Sequence, residues 1–164
     1  MLNSKMEIAL NQQANAELWA AYLYLSVSYD MDGKGYEGIS SWFAQQAKEE
    51  FAHATRIFKF IGEVEGKVTL LPIEGVKQEW NSPKEAFEDA LKQEKLVTKS
   101  IHNLMDMAVE TKDYATQNML KWFVDEQIEE EEAARKILDK FKKVESCSFG
   151  LYKLDKELGK RGNS

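Results

Sequence analysis

Cysteine, proline and glycine are scarce in this sequence of 164 residues. Its one cysteine, Cys147, excludes an internal disulfide and any zinc or iron–sulfur site built on several cysteines. Two prolines and nine glycines leave long stretches without a helix breaker, which favours long uninterrupted elements. No apolar run approaches the length of a membrane span, and the opening residues MLNSKMEIALNQQ are too polar for a signal peptide. We therefore expect a cytoplasmic protein without a membrane partner.

Basic residues are also fewer than acidic residues. The chain carries 22 Lys and Arg residues against 28 Asp and Glu residues, a net charge of −6. Nucleic acids and anionic membranes repel such a surface, so neither is expected as the main partner. Hydrophobic residues make up 43% of the chain and charged residues 30%, as in ordinary globular proteins. The length suits one domain with a substantial core, so we expect a single domain over residues 1–164.

Apolar residues recur at helical spacing along almost the whole chain. Ser4 and Glu7 predict a capping box at the start of the first helix. Ser82 followed by Pro83 predicts the start of the third helix, because serine caps helices and proline fits the first helical position. Five helices are predicted, at about residues 4–31, 37–64, 83–110, 113–143 and 149–159.

The connections between these helices predict an all-α four-helix bundle with one long crossover. Short connections make the first and second helices, and the third and fourth, antiparallel hairpins. The connection between the second and third helices is long for a compact domain. About 18 residues can extend to roughly 60 Å, whereas a helix of about 28 residues is roughly 42 Å long. This loop can therefore return along the bundle and make the second and third helices parallel.

The short fifth helix carries Leu151, Leu154 and Leu158 on one side and is predicted to stop at Gly159. A helix of this length is not stable alone in water. We therefore expect its leucine stripe to dock on other subunits.

Polar residues interrupt the apolar stripe of each long helix near its middle. On the first helix the stripe is predicted to continue through Leu18 and Leu25. Neighbouring helices of a bundle would bring the interrupting residues together. They are Glu17 on the first helix, Glu50 and His53 on the second, Glu94 on the third, and Gln127 and Glu130 on the fourth.

Four carboxylates in an apolar core cannot stay ionised unaided, because an isolated buried charge loses its hydration. They must be protonated, solvated or neutralised by cations, and two divalent cations would cancel four negative charges. Glu50 and His53 are three residues apart, the Glu-x-x-His spacing of di-iron sites in bundles. An oxygen-rich set with one imidazole suits iron or manganese better than structural zinc. The simpler alternative for any one of these acids is that it lies on a solvated helix face and binds no metal.

These motifs together resemble those of the non-haem bacterial ferritins over essentially the whole chain. The resemblance implies a four-helix bundle with a fifth helix, assembled into a hollow 24-subunit shell that stores iron. It also implies a ferroxidase centre in each subunit, which oxidises Fe(II) with O2 or H2O2. The matching segments are NAELWAAYLY, KEEFAH, KQEKLVT, DEQIEEE and GLYKLDKEL.

The resemblance implies two to three catalytic iron sites per subunit. Glu50 would bridge the first two irons, and Gln127 would lie beside the second. The implied ligands are Glu17, Glu50 and His53 for the first iron, and Glu50, Glu94 and Glu130 for the second.

A third iron site is implied at Glu49, Glu126 and Glu129 together with Glu130. Tyr24 matches the family's tyrosine near the centre, where it could donate an electron or a hydrogen bond or simply fill the core. Haem is not expected, because Phe51 occupies the position of the haem-ligating methionine of the bacterioferritins.

Two other classes of function remain open. A di-iron or di-manganese oxidase or peroxidase would keep its two metals as a permanent cofactor, whereas a store takes up far more iron per chain. A purely structural bundle with a solvated acidic seam would show neither metal-dependent melting nor iron oxidation.

Overall fold

The computed structural model describes residues 2–161, so Met1 and residues 162–164 of the expected domain lie outside the described part. All of the regular structure in residues 2–161 is helical, which confirms the predicted all-α class. None of the helices in this range is both long enough and apolar enough to cross a membrane. The helices are α1 (Ser4–Gly33), α2 (Glu37–Glu63), α3 (Pro83–Glu110), α4 (Tyr114–Val144) and α5 (Ser148–Leu158).

The first helix begins at Ser4 as predicted, but the capping box predicted for its start is wrong. The side chain of Asn3, not Ser4, caps α1 by accepting a hydrogen bond from the backbone N of Lys5 at 2.8 Å. Glu7 instead accepts from a backbone N–H of the α2–α3 connection, so the Ser4–Glu7 capping box is not formed. The start of α3 is confirmed, since Ser82 caps it and proline is its first residue.

The connection between α2 and α3 runs along α1, which confirms the predicted long crossover. Near its beginning, the backbone N of Thr69 donates to Oδ1 of Asn11 at 2.7 Å. Further on, Oγ of Ser26 donates to the carbonyl oxygen of Lys77 at 2.8 Å. The buried Trp80 then anchors the end of the connection in the core. The chain therefore returns along the bundle, and α3 runs parallel to α2.

Two apolar clusters fill the bundle on either side of its buried polar residues. One cluster is built around Phe43, Phe87 and Trp80, and the other around Ile57 and Phe123. Each of α1 to α4 contributes residues to both clusters. The acids predicted on these helices lie between the two clusters in every helix, so the bundle places them in one layer.

The predicted apolar stripe is wrong in the second half of α1. Leu23 and Val27 are buried there, whereas the side chain of Leu25 is 40% exposed and Leu18 is half-buried. Both faces of this part of α1 carry apolar residues, so hydrophobicity alone does not select the buried face.

Helix α5 packs within its own subunit. Leu154 and Leu158 are buried in the same cluster as Phe43, so the expectation that this stripe docks on other subunits is wrong. The side chain of Asp155 accepts a hydrogen bond from the backbone N of Ile39 at 2.8 Å, in the first turn of α2. Intramolecular contacts therefore stabilise this short helix.

Candidate metal centre

The four carboxylates predicted to meet in the bundle are all buried. The exposed fraction of Glu17, Glu50, Glu94 and Glu130 does not exceed 8%. His53, one turn beyond Glu50 on α2, is buried beside them. Because each helix contributes its polar residue from the layer between the two apolar clusters, the side chains converge from four directions.

Their ligand atoms form two adjoining groups. Within each group, one ligand atom from each residue lies within 4.8 Å of the ligand atoms of the other residues. Glu50 belongs to both groups, which is the position required of a bridging ligand between two cations. The groups are Glu17, Glu50 and His53, and Glu50, Glu94 and Glu130.

Buried glutamine amides donate to all four carboxylates. Gln127 was predicted near the centre, and its Nε2 lies 3.2 Å from Oε2 of Glu94. Sequence reasoning missed Gln13 and Gln46, because glutamine is usually a surface residue. Their only sequence signal is a spacing of four residues before Glu17 and Glu50, which places them one turn away. The other contacts are Gln13 to Glu17 at 2.8 Å, Gln46 to Glu130 at 2.6 Å and Gln46 to Glu50 at 3.4 Å.

Tyr24 is buried at the centre, and its hydroxyl donates a hydrogen bond to Oε1 of Glu94. Burial raises the pKa of the Tyr24 hydroxyl well above 10.0, and the nearby Glu94 and Glu50 charges raise it further. The hydroxyl therefore keeps its proton at neutral pH and acts as a donor to the carboxylate.

Burial is also the largest cause of the raised pKa of each of the four acids. It raises the pKa of Glu17 well above 4.5, and the charge of Glu50 adds to this effect. For Glu50 the next cause is the charge of Glu94. Burial also raises the pKa of Glu94, but hydrogen bonds from Tyr24 and Gln127 favour its charged form and counteract part of this rise. The pKa of Glu130 is raised to about 7 by burial and then by the charge of Glu94.

The raised pKa values favour the protonated acids, so a cation must compete with protons for their oxygens. One buried oxygen, Oε2 of Glu17, has no hydrogen-bond partner among the described residues. An orphaned buried carboxylate oxygen is costly unless it binds a proton or a cation. Together with the oxygen-rich ligand set and one imidazole, it fits divalent iron or manganese.

Aromatic rings hold the imidazole of His53 in place. Its ring centroid lies 5.5 Å from that of Trp122 and 5.9 Å from that of Phe123, both edge-on. Nδ1 of His53 lies 3.3 Å from Oε2 of Glu50, so this nitrogen faces the first ligand group. The guanidinium of Arg56 covers the outer face of Trp122 at 4.1 Å, consistent with a packing role for that indole.

The residues expected at a third site are more dispersed. Glu126 is half-buried, and its Oε1 lies 3.8 Å from Nε2 of His53. It forms a third close group with His53 and Glu130, whereas Glu49 and Glu129 join no such group among the described residues. Both are nonetheless near enough for their charges to raise the pKa of Glu126, although burial is the larger cause. The third site stays a prediction.

Comparison with known proteins agrees with this architecture. A family model described as "Ferritin-like domain" matches residues 7–144. A protein of Staphylococcus saprophyticus named "Bacterial non-heme ferritin" is 40% identical over 161 residues, which cover 98% of this chain and 96% of the relative. A relative of the same name from Bacteroides fragilis is 37% identical, with 98% and 100% of the two chains covered.

Solved structures lead to the same family. The open pore ferritin of the archaeon Archaeoglobus fulgidus superposes with a TM-score of 0.97 at 44% sequence identity. The match covers 98% of this chain and 99% of the archaeal chain. With its helices, its layer of buried acids and these relatives in agreement, the chain belongs to the ferritin family of iron-storage proteins.

Proposed function

We propose that this protein oxidises Fe(II) at the buried acid layer and stores the ferric product. The observation that carries the proposal is the pair of ligand groups that share Glu50. Iron is the substrate, and the centre binds two Fe(II) ions side by side. Four carboxylates balance the charge of two divalent ions, so the pair is neutral overall within an apolar bundle.

The two iron positions differ in their ligands. The first is formed by Glu17, Glu50 and His53, and the second by Glu50, Glu94 and Glu130. Only the first contains an imidazole, so the two positions differ in affinity for iron. Two adjacent Fe(II) ions can supply one electron each to one molecule of O2 or H2O2, which avoids a one-electron-reduced oxygen species.

The surrounding hydrogen bonds orient the ligands. The amides of Gln13, Gln46 and Gln127 donate to the carboxylates, and Tyr24 donates to Glu94. Such contacts fix the direction of ligand oxygens and support metal affinity. These groups therefore prepare the acid layer for cations before iron arrives.

The half-buried Glu126 provides the exit from this layer. It lies next to His53 and Glu130 at the edge of the buried centre. Glu129 is exposed and Glu49 half-buried beyond it, which makes a path of decreasing burial for ferric ions. A third iron held at Glu49, Glu126, Glu129 and Glu130 would be an intermediate step on this path.

Storage requires a shell, and we propose a hollow assembly of 24 copies in the cytoplasm. Tyr22, Leu25 and Tyr29 are exposed on one region of α1, and exposed apolar patches of this kind mark protein–protein contacts. The exposed free thiol of Cys147 supports a reducing compartment, where such thiols persist.

Anaerobic Fe(II) titration followed by aerobic loading on a sizing column tests the proposal. We expect two to three tight sites per chain, oxidation on admission of air, and iron far above this ratio co-eluting with a large shell. Saturation at two irons per chain would favour an oxidase or peroxidase with a permanent cofactor. No binding and no oxidation would leave only a structural bundle.

A further inference from the structure

The side chain of Arg161, three residues after the end of α5, reaches the edge of the acid layer. Nη1 of Arg161 donates to Oε1 of Gln46 at 2.8 Å, and its Nη2 donates to Oε2 of Glu49 at 2.5 Å. The guanidinium also lies over the ring of Trp42, 4.4 Å from its centroid. These three contacts give the Arg161 side chain a defined position.

This contact decides which way the amide of Gln46 points. An amide has one acceptor oxygen and one donor nitrogen, and Arg161 offers only donors to the oxygen. The nitrogen of Gln46 is therefore directed at Oε2 of Glu130, 2.6 Å away, and more weakly at Oε1 of Glu50. A flipped amide would place its nitrogen against the guanidinium and its oxygen against the carboxylates, and both contacts are repulsive.

The docking of α5 brings Arg161 to this place. Gly38 in α2 packs directly on the backbone of α5, where an added Cβ would lie 1.8 Å from the carbonyl oxygen of Asp155. The side chain of Asp155 meanwhile accepts from the backbone N of Ile39. Arg161 follows three residues after Leu158, the end of α5, so it extends from this fixed point along α2 toward Gln46.

We propose that Arg161 is a positioning residue for the second iron position. Acting through Gln46, it holds the carboxylate of Glu130, so docking of the C-terminal segment is a condition for tight binding of the second ion. The inference rests on the proposed function, because it assumes that Glu130 is a ligand. The first position, formed by Glu17 and His53 with Glu50, depends much less on this contact, since the Gln46 contact to Glu50 is long.

Calorimetric titration of the metal-free assembly with Co(II), which does not react with air under these conditions, tests the proposal. Arg161→Gln should weaken binding of the second ion by about tenfold, the low end of the effect of losing a residue that supports a metal ligand, because Gln46 then no longer holds Glu130 in one orientation. Binding of the first ion should be unchanged, which also shows that the variant is folded. Lys160→Gln makes the same change of charge on the neighbouring exposed residue and should leave both affinities unchanged.

A double-mutant cycle separates this role from simple anchoring of the C-terminus. Gln46→Ala should itself weaken binding of the second ion, and adding Arg161→Gln should then cause no further loss of affinity. Arg161→Lys should lose second-ion affinity as well, because one ammonium cannot reproduce the two-pronged contact and Glu49 attracts it more strongly than the amide does.

Wild-type second-ion affinity in Arg161→Gln or Arg161→Lys would overturn the proposal. The proposal would also be overturned if Arg161→Gln reduced second-ion affinity equally in the wild-type protein and in the Gln46→Ala variant. Absence of paired ion binding in the wild-type protein would instead overturn the proposed function itself, and the inference with it.

Discussion

The hydroxyl of Tyr24 on α1 donates a hydrogen bond to the carboxylate of Glu94 on α3. Both side chains are buried, and the contact joins two helices across the acid layer. It favours the charged form of Glu94, which is the form that binds a cation. Tyr24 is therefore a hydrogen-bond donor to one of the four buried acids.

Replacing Tyr24 with phenylalanine removes this donor with little change in shape. We expect Tyr24→Phe to weaken anaerobic binding of the second Fe(II) ion by roughly tenfold, because Glu94 loses a partner that orients it. Calorimetric titration without oxygen measures this directly. A residue that only donated electrons during oxidation would leave anaerobic binding unchanged. Tyr114→Phe, at an exposed tyrosine of α4, is the control and should bind as the wild type does.

The stability of the metal-free protein should fall as pH rises. An unfolded glutamate ionises near 4.5, whereas folded Glu130 ionises near 7 and the pKa of Glu17 is well above its usual value. Between these values the folded state binds more protons than the unfolded state, so raising the pH lowers the free energy of unfolding. The stabilisation by these protonated acids is complete below about pH 4.5 and is lost from there through pH 7 and above.

Glu17→Gln isolates this effect from the surface acids. Its amide cannot ionise, so the metal-free variant should melt at a higher temperature than the wild type at pH 8 and at a similar temperature at pH 5. Thermal melting of chelator-treated protein at the two pH values measures the difference. A variant less stable than the wild type at pH 8 would show that the buried carboxyl group of Glu17 does not lower the stability of the metal-free protein at high pH.

Binding of divalent ions should release protons, because the acids must ionise to become ligands. Calorimetry at one pH in buffers of different ionisation enthalpy counts the protons released per ion. We expect clear release at pH 6, where Glu130 with its pKa of about 7 is mostly protonated, and less release at pH 9. Solvated surface carboxylates are already ionised at pH 6, so a count near zero there would place the ions outside the buried layer.

Gly38→Ala should detach α5. The new methyl group would lie 1.8 Å from the carbonyl oxygen of Asp155, so the two backbones must separate. We expect a loss of about 1–3 kcal/mol in the free energy of unfolding, typical of overpacking, and faster hydrogen exchange in residues 148–161. Gly62→Ala on the same helix meets no atom within 4 Å and should be neutral or stabilising by up to about 1 kcal/mol. Equal behaviour of the two variants would contradict the docked position of α5.

The bundle and its acid layer could be predicted because both follow from local spacing. Glu17, Glu50, Glu94 and Glu130 each interrupt a helical apolar pattern, and the length of one connection fixed the helix directions. The buried face of the second half of α1 could not be predicted, since Leu23 and Leu25 are equally apolar and only packing against the other helices selects between them.

The supporting residues of the centre were missed for a different reason. Gln13 and Gln46 satisfy buried carboxylates, and this need exists only once the helices have met. Arg161 is separated from Gln46 by 115 positions in sequence, and no local pattern links the two residues. Likewise, burial of Leu154 within its own subunit depends on the close approach of α5 to Gly38.

A crystal soaked anaerobically in ferrous salt, with anomalous scattering measured at the iron edge, is the most direct test of the central claim. We expect two strong peaks per chain that share Glu50, one beside Glu17 and His53 and the other beside Glu94 and Glu130. Acids directed away from one another, with no iron among them, would contradict it.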